Sequence, residues 1–181
     1  LGLEDSNIKP TDGDILVTGS SGGVGSVAIS ILSSIGYSVI ASTGRLSETD
    51  YLKSLGAQSI IDRNELSEPS RPLGKERWVG AIDSVGSQTL VNVLAQTKYG
   101  GAVSACGLAQ GMDLPATVLP FILRGVSLIG IDSVMAPISK RERAWGRLSK
   151  DLDMKKLSEM VVETSLDEIP KFAKAIIEGQ V

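Results

Sequence analysis

Residues 15–25, Ile15-Leu16-Val17-Thr18-Gly19-Ser20-Ser21-Gly22-Gly23-Val24-Gly25, decide the fold of this chain. An apolar run breaks into a glycine-rich turn and then continues as an apolar-periodic segment, which predicts a strand, a turn and a helix. Glycine lets the backbone adopt a positive φ and approach a ligand closely, and the amino end of a helix offers unpaired N–H groups to an anion. The stretch therefore predicts a phosphate-binding turn.

The turn matches the dinucleotide pattern G-x-G-x-x-G imperfectly. Ser20 stands where the first glycine belongs, while Gly22 and Gly25 occupy the second and third positions. Turns of this composition also form purely structural connections. The position of this turn, after a strand and before a helix in the first βαβ unit, is the context that nucleotide binding requires. We therefore expect a nucleotide site here.

The end of the second predicted strand indicates which nucleotide binds. An Asp or Glu about 20 residues beyond the turn would select NAD by binding its ribose hydroxyls. This chain has Ser42, Thr43, Gly44 and Arg45 instead, whose hydroxyls and guanidinium can hydrogen-bond a 2′-phosphate. A solvated surface role is the alternative for Arg45, but its coincidence with the missing carboxylate favours the phosphate. Arg63, beyond the third strand, is a second candidate for the same phosphate, and a surface role suits it equally well. The pattern favours NADP(H).

Composition excludes several other classes of function. The 181 residues are 42% apolar and 22% charged, which suits one globular domain, and the net charge of -3 favours neither a nucleic acid nor an anionic membrane as partner. No apolar run approaches the roughly 20 residues of a membrane span. Cys106 is the single cysteine and there is no histidine, so we expect neither an internal disulfide nor a metal site. A reducing cytoplasm fits this cysteine content.

Short apolar segments alternate with helical patterns along most of the chain. This alternation predicts an α/β fold, a Rossmann-type doubly wound parallel sheet with helices on both faces in three layers, over a single domain 1–181. Strands are expected at 15–17, 38–42, 60–61, 79–83, 102–106 and 128–131, with Gly100-Gly101 turning the chain into the fifth. Capping boxes are expected at 139–142 and 165–168, and a helix stop at Gly179.

The carboxyl ends of the later strands should line the rest of the cleft. Gly86, Gly107 and Leu108 are expected where the nicotinamide half of the cofactor would extend, although Gly86 equally suits a helix start. Cys106 lacks a histidine to activate it as a nucleophile, so we interpret it as a small buried or cofactor-lining residue. No residue of the chain is predicted to be catalytic.

Several short motifs together resemble one family. They are Val17–Ser26 (VTGSSGGVGS), Tyr51–Ala57 (YLKSLGA), Gly80–Gly86 (GAIDSVG), Tyr99–Gly101 (YGG), Ala105–Ala109 (ACGLA), Leu119–Arg124 (LPFILR) and Gly130–Met135 (GIDSVM). Singly they are unspecific, but over nearly the whole chain they resemble the nucleotide-binding domain of zinc-independent medium-chain dehydrogenase/reductases. The likeness is strongest to the acrylyl-CoA reductase group, also called YhdH/YhfP-type quinone oxidoreductases.

The resemblance implies NADPH-dependent reduction of an activated carbon–carbon double bond in a small-molecule substrate such as an acrylyl thioester, an enone or a quinone. It also implies that Ser21, Gly22, Gly23 and Val24 bind the pyrophosphate, that 43–45 with Arg63 bind the 2′-phosphate, and that Leu108 and Ser133 line the nicotinamide end. Such enzymes carry an amino-terminal catalytic domain and a closing carboxy-terminal strand. We therefore expect the chain to be a piece of a longer protein that does not turn over alone.

Two other interpretations stay open. The turn also fits the T-G-x-x-x-G-x-G pattern of short-chain dehydrogenases, but those need a Tyr with Lys four residues on, and Tyr37, Tyr51 and Tyr99 lack it. A non-catalytic NADP-binding or redox-sensing module is the other alternative. The proline-flanked segment before residues 128–131 suggests an edge strand that pairs across a two-fold axis, and hence a homodimer.

Overall fold

The computed structural model describes residues 1–177, so the helix stop expected at Gly179 lies outside the described residues. Its strands are β1 (Ile15–Val17), β2 (Val39–Thr43), β3 (Ser59–Asp62), β4 (Trp78–Asp83), β5 (Thr97–Ala105) and β6 (Ser127–Gly130). Its helices are α1 (Gly2–Asp5), α2 (Gly23–Ser34), α3 (Thr49–Leu55), α4 (Ser87–Ala95), α5 (Leu119–Arg124), α6 (Ile138–Asp151), α7 (Met154–Glu159) and α8 (Ile169–Ile177).

The six strands form one parallel sheet in the order β3-β2-β1-β4-β5-β6. β1 is central: Ile15 lies opposite Val39 of β2 on one side and Gly80 of β4 on the other. The strand order therefore reverses direction between β1 and β4, which is where open α/β sheets bind their ligands. The predicted Rossmann-type doubly wound sheet is confirmed.

The core has two halves because side chains of a strand alternate between the faces of the sheet. Ile15 and Val17 of β1 pack with side chains of α2 and α3, whereas Leu16 packs with side chains of α4 on the opposite face. Trp78 is fully buried in the second half and donates its indole N–H to the carbonyl O of Val93 at 3.1 Å. Helices thus cover both faces in the three predicted layers.

Three predicted local features are wrong. Strand β5 begins at Thr97, so the glycines expected to turn the chain into it lie inside the strand, beside a register irregularity between Trp78 and Gly80 of β4. The box at 139–142 caps nothing, because α6 already begins at Ile138 and Ser139 is helical. Ser165 precedes a short 3₁₀ turn without a side-chain cap, and the Glu168 carboxylate accepts instead from the Thr164 hydroxyl at 2.7 Å.

Helix α6 is attached to α1 by ion pairs rather than by buried apolar side chains. Arg147 donates from Nη1 to both carboxylate oxygens of Glu4 at 2.9 and 2.8 Å, and Arg143 donates to both oxygens of Asp5 at 3.1 and 2.6 Å. None of the α6 side chains is fully buried.

Within residues 1–177, no helix is both long enough and apolar enough to cross a membrane.

Candidate nucleotide-binding site

A cavity of about 610 Å³ opens at the carboxyl ends of β1 to β5, over the switch point of the sheet. The residues that line it come from five consecutive connections of the fold. They are 18–22 after β1, 42–45 at the end of β2, Arg63, Asn64 and Ser67 after β3, Ser84, Val85 and Thr89 after β4, and Ala109 and Gln110 after β5.

The glycine-rich turn adopts a conformation that depends on two of its glycines, Gly19 and Gly25. Gly19 has a φ of +59°, in the region that favours glycine, and its carbonyl O accepts from the amide of Gly22 at 3.0 Å. A Cβ at Gly25 would overlap the backbone of Gly19 and Ser20. Gly25 therefore allows α2 to begin directly against the turn, which is the packing role expected of the third glycine of the motif.

The amino end of α2 is open to the cavity. Gly22 is the N-cap and provides no side-chain hydrogen bond, and the amide of Ser26 is the one that donates back to the carbonyl O of Gly22, at 2.9 Å. The helical residues before Ser26 precede the first hydrogen bond of the helix, so their amides are available to an anion. A Cβ at Gly23 would meet no atom within 4 Å, and Val24 is 58% exposed. The geometry fits a phosphate group at this end.

Two hydroxyls and two guanidinium groups gather at the end of β2. The Oγ of Ser21 lies 2.7 Å from the Oγ1 of Thr43, which also accepts from the amide of Arg45 at 3.0 Å. Arg45 is half-buried and Arg63 is exposed, and the Arg63 side chain lies against Gly44 so closely that a Cβ there would overlap it. Within residues 1–177 neither guanidinium is paired with a carboxylate.

A buried polar network joins β1 to β4 beneath the cavity. The carboxylate of Asp83, which is 0% exposed, accepts from the Thr18 hydroxyl at 2.7 Å and from the Gly86 amide at 2.8 Å. Burial raises the pKa of Asp83, and the hydrogen bond from Thr18 opposes that rise. No role was predicted for Asp83 or Thr18. The available signal was an acidic residue at the end of an otherwise apolar strand, which is rarely buried without partners.

The residues predicted for the nicotinamide end do not lie in this cavity. Cys106 and Ser133 line a second cavity of about 610 Å³ between α1, the ends of β4 to β6, and α6. Leu108 is 64% exposed, on the loop that lies over Gly86. The structure thus brings Ser21, Gly22, 42–45 and Arg63 together in one cavity, with Gly23 and Val24 following at the start of α2. It places Cys106, Leu108 and Ser133 apart from them.

Cys106 is exposed rather than buried as a residue, although its thiol is partly covered and donates to the carbonyl O of Asp83 at 3.3 Å. Desolvation, followed by the nearby charge of Asp83, raises the pKa of this thiol. A raised pKa disfavours the thiolate that a nucleophile or a metal ligand requires.

A parallel sheet in this strand order, with a glycine-rich turn at the switch point, defines a Rossmann-type domain. The chain belongs to the zinc-binding dehydrogenase family, whose model matches residues 23–150. The zinc of that name has no ligand set in the part of the chain that the structure describes: there is no histidine in the sequence, and residues 1–177 contain no group of three or more His, Cys, Asp or Glu side chains that could hold a metal ion.

Individual relatives place the chain within that family. It is 52% identical to the acrylyl-CoA reductase of Ruegeria pomeroyi, over all of this chain and 55% of that protein. The crystal structure of the yhdH oxidoreductase from Salmonella enterica in complex with NADP superposes with a TM-score of 0.96 at 55% identity, and that of Bacillus subtilis yhfP with NAD bound superposes with a TM-score of 0.91 at 44% identity.

Each of those two structures matches 99% of this chain and 55% of the other. The resemblance to the acrylyl-CoA reductase and YhdH/YhfP-type group, drawn from the sequence motifs, is confirmed. The chain spans about half the length of the relatives that it matches.

Proposed function

We propose that this chain is the NADP(H)-binding domain of an oxidoreductase that reduces an activated carbon–carbon double bond in a small-molecule substrate. The observation that carries the proposal is the meeting, in one cavity, of the glycine-rich turn with the guanidinium groups of Arg45 and Arg63, which form no ion pair with any carboxylate of residues 1–177. The cavity offers hydrogen-bond donors at two positions, the glycine-rich turn and the two arginines. NADP(H) carries an anion for each of them, the pyrophosphate and the 2′-phosphate. The similarity to an acrylyl-CoA reductase supports the type of reaction.

Each part of the cavity has a separate task in this proposal. Residues 21–24 bind the pyrophosphate, chiefly through the amides of Gly23 and Val24 at the start of α2, and the positive end of the helix dipole favours its charge. The hydroxyls of Ser42 and Thr43 and the guanidiniums of Arg45 and Arg63 bind the 2′-phosphate, with Gly44 leaving space for the Arg63 side chain. Cys106, Leu108 and Ser133 are proposed for the nicotinamide end. NADPH, when bound, supplies the hydride that is added to the alkene.

NADP(H) rather than NAD(H) is favoured by residues 42–45 at the end of β2, none of which is acidic. A carboxylate at the end of β2 would bind ribose hydroxyls and repel a 2′-phosphate. The relatives include structures with either cofactor, NADP in the Salmonella enterica protein and NAD in the Bacillus subtilis protein. The choice in this chain therefore depends on its own residues 42–45 and 63.

The reaction itself is proposed for a longer protein, of which residues 1–181 form one domain. An amino-terminal catalytic domain and a closing carboxy-terminal strand would complete the substrate cleft, and the 181 residues alone would bind the cofactor without turnover. β6 is an edge strand of the sheet and presents one unpaired side, which supports a homodimer formed across it. We also propose that the protein is cytoplasmic and binds neither a nucleic acid nor a membrane.

Substitution of Arg45 tests the cofactor assignment. We expect Arg45→Ala to weaken NADPH binding by about 1.5–3 kcal/mol, roughly tenfold or more, and to leave NADH binding unchanged, because a charge-assisted contact with the 2′-phosphate is lost. Calorimetric titration of both variants with both cofactors measures this. Arg71→Ala, an exposed arginine outside the cavity, is the matched control. Equal affinities for NADPH and NADH that Arg45→Ala does not alter would refute the assignment.

A further inference from the structure

We propose that Asp83 is a positioning residue whose carboxylate fixes the separation of the two turns on either side of the cofactor cleft. One turn is the glycine-rich turn after β1, and the other is the turn after β4 that begins α4. This proposal rests on the proposed function, because it concerns the affinity of the same site for NADP(H).

The carboxylate bridges the two turns directly. Oδ1 of Asp83 accepts from the hydroxyl of Thr18, the residue before the glycine-rich turn, at 2.7 Å, and Oδ2 accepts from the amide of Gly86 at 2.8 Å. Two further hydrogen bonds of 3.1 Å join the same turns: the Ser84 amide donates to Thr18 Oγ1, and the Ser84 hydroxyl donates to the Thr18 carbonyl O. Three of these four hydrogen bonds join the end of β1 to the end of β4, and the fourth, from Gly86, holds the same carboxylate to the turn that begins α4.

The bridge lies where a small displacement would reach the ligand. Thr18, Gly19, Ser84 and Val85 all line the cavity proposed for the cofactor. The two turns are already in contact, since a Cβ at Gly19 would lie 2.5 Å from the Ser84 hydroxyl oxygen. Asp83 is completely enclosed, so it acts on the cofactor through the turns and touches no ligand itself.

The donors around Asp83 require a group that only accepts. The Thr18 hydroxyl already accepts from the Ser84 amide, so its proton points to the carboxylate. An asparagine at position 83 would keep the shape but would place an N–H₂ against either the Thr18 hydroxyl or the Gly86 amide. Against Gly86 two donors would face each other, and against Thr18 the hydroxyl would have to turn its proton away from position 83 to another acceptor. The Asp83→Asn substitution therefore alters the spacing of the turns with almost no change of volume.

Two threonines provide a matched pair for the test. Thr18 is 1% exposed and donates to Asp83, at the carboxyl end of the sheet. Thr97 is 0% exposed and donates from Oγ1 to the carbonyl O of Val93 at 2.8 Å, at the amino end of β5 and outside the cavity. Thr97→Val removes one buried hydroxyl hydrogen bond and Thr18→Val removes two, so Thr97→Val shows what the loss of a buried threonine hydroxyl away from the cavity does to stability and to binding.

The experiment titrates the folded variants with NADPH and with NADH and measures their unfolding free energies. We expect Asp83→Asn and Thr18→Val to weaken the binding of both cofactors by at least about tenfold and by the same factor, because both cofactors carry the pyrophosphate. Thr18→Ser, which keeps the hydroxyl, should recover most of that loss. Thr97→Val should lose stability while its affinities are unchanged.

The outcomes separate this proposal from the proposed function. If the wild-type chain binds the cofactors, and Asp83→Asn and Thr18→Val bind them with the same affinities as the wild type, the positioning role is overturned and the proposed function stays intact. An affinity loss in Thr97→Val as large as that in Thr18→Val would also overturn it, because general destabilisation would then explain both losses. A wild-type chain that binds neither cofactor would overturn the proposed function and the positioning role together.

Discussion

Arg63 reaches its position in the cavity only because position 44 has no side chain. A Cβ at Gly44 would overlap the Nε, Cδ and Cζ atoms of Arg63, so Gly44→Ala must displace the guanidinium. We expect this substitution to weaken NADPH binding by up to about 1.5 kcal/mol and to spare NADH, because the loss concerns a contact with the 2′-phosphate. Titration with the two cofactors measures it.

Gly146→Ala is the matched control for that substitution, because a Cβ at Gly146 in α6 would meet no atom within 4 Å. Both variants add one methyl group, and the control should retain both affinities while gaining up to about 1 kcal/mol of helix stability. An NADPH affinity that is equal in Gly44→Ala and in the wild-type chain would show that Arg63 does not bind the phosphate.

The sequence predicted which residues gather in the cavity proposed for the phosphates better than the contacts that hold them in place. Gly25 and Arg45 could be identified because their meaning depends on spacing from the glycine-rich turn. The contact of Arg63 with Gly44 depends on the parallel register that sets Thr43 opposite Asp62, which a single sequence does not reveal. The bridge from Asp83 to Thr18 likewise requires the adjacency of β1 and β4, which are more than 60 residues apart in the chain.

At the scale of elements, α6 depends on its ion pairs with α1, and this gives the helix a pH dependence. The hydrogen bond from Arg147 lowers the pKa of Glu4, so the Glu4–Arg147 contact is present above the ordinary glutamate pKa of about 4.3. It is lost as the pH falls through the lowered pKa of the folded state. Glu4 therefore stabilises the attachment of α6 at neutral pH and ceases to do so in acid.

Hydrogen exchange of the α6 amides measures this effect. We expect protection of residues 138–151 to fall on acidification below about pH 4 in the wild-type chain. Glu4→Gln should show weaker protection at neutral pH and a smaller change with pH. An exchange pattern in α6 with the same pH dependence in both chains would contradict the assignment.

The pattern of elements was predicted well where burial sets it and poorly where local chemistry sets it. All six strands were located, because apolar runs must be buried between helices on both faces. The caps of α6 and α8 were wrong, because a Ser-x-x-Glu spacing does not show at which residue the backbone becomes helical. Ser139 lies one residue inside α6, where its hydroxyl cannot cap the first turn.

For the whole molecule, the central feature is the separation of two cavities at the carboxyl edge of one sheet. The first holds the turn, hydroxyls and arginines proposed for the phosphates, and the second holds Cys106 and Ser133. The relatives are nearly twice as long as this chain, and in the proposed enzyme the remainder would complete the substrate cleft. The residues proposed for the phosphates, in contrast, all lie within residues 1–177.

The central claim is that this half recognises a 2′-phosphate, and competition between two adenosine nucleotides tests it without the nicotinamide or a second domain. The isolated chain should bind adenosine 2′,5′-bisphosphate at least about tenfold more tightly than adenosine 5′-monophosphate, because Arg45 and Arg63 each add a charge-assisted contact. The advantage should shrink in Arg45→Ala and with rising salt. Equal affinity of the wild-type chain for the two nucleotides would contradict the account.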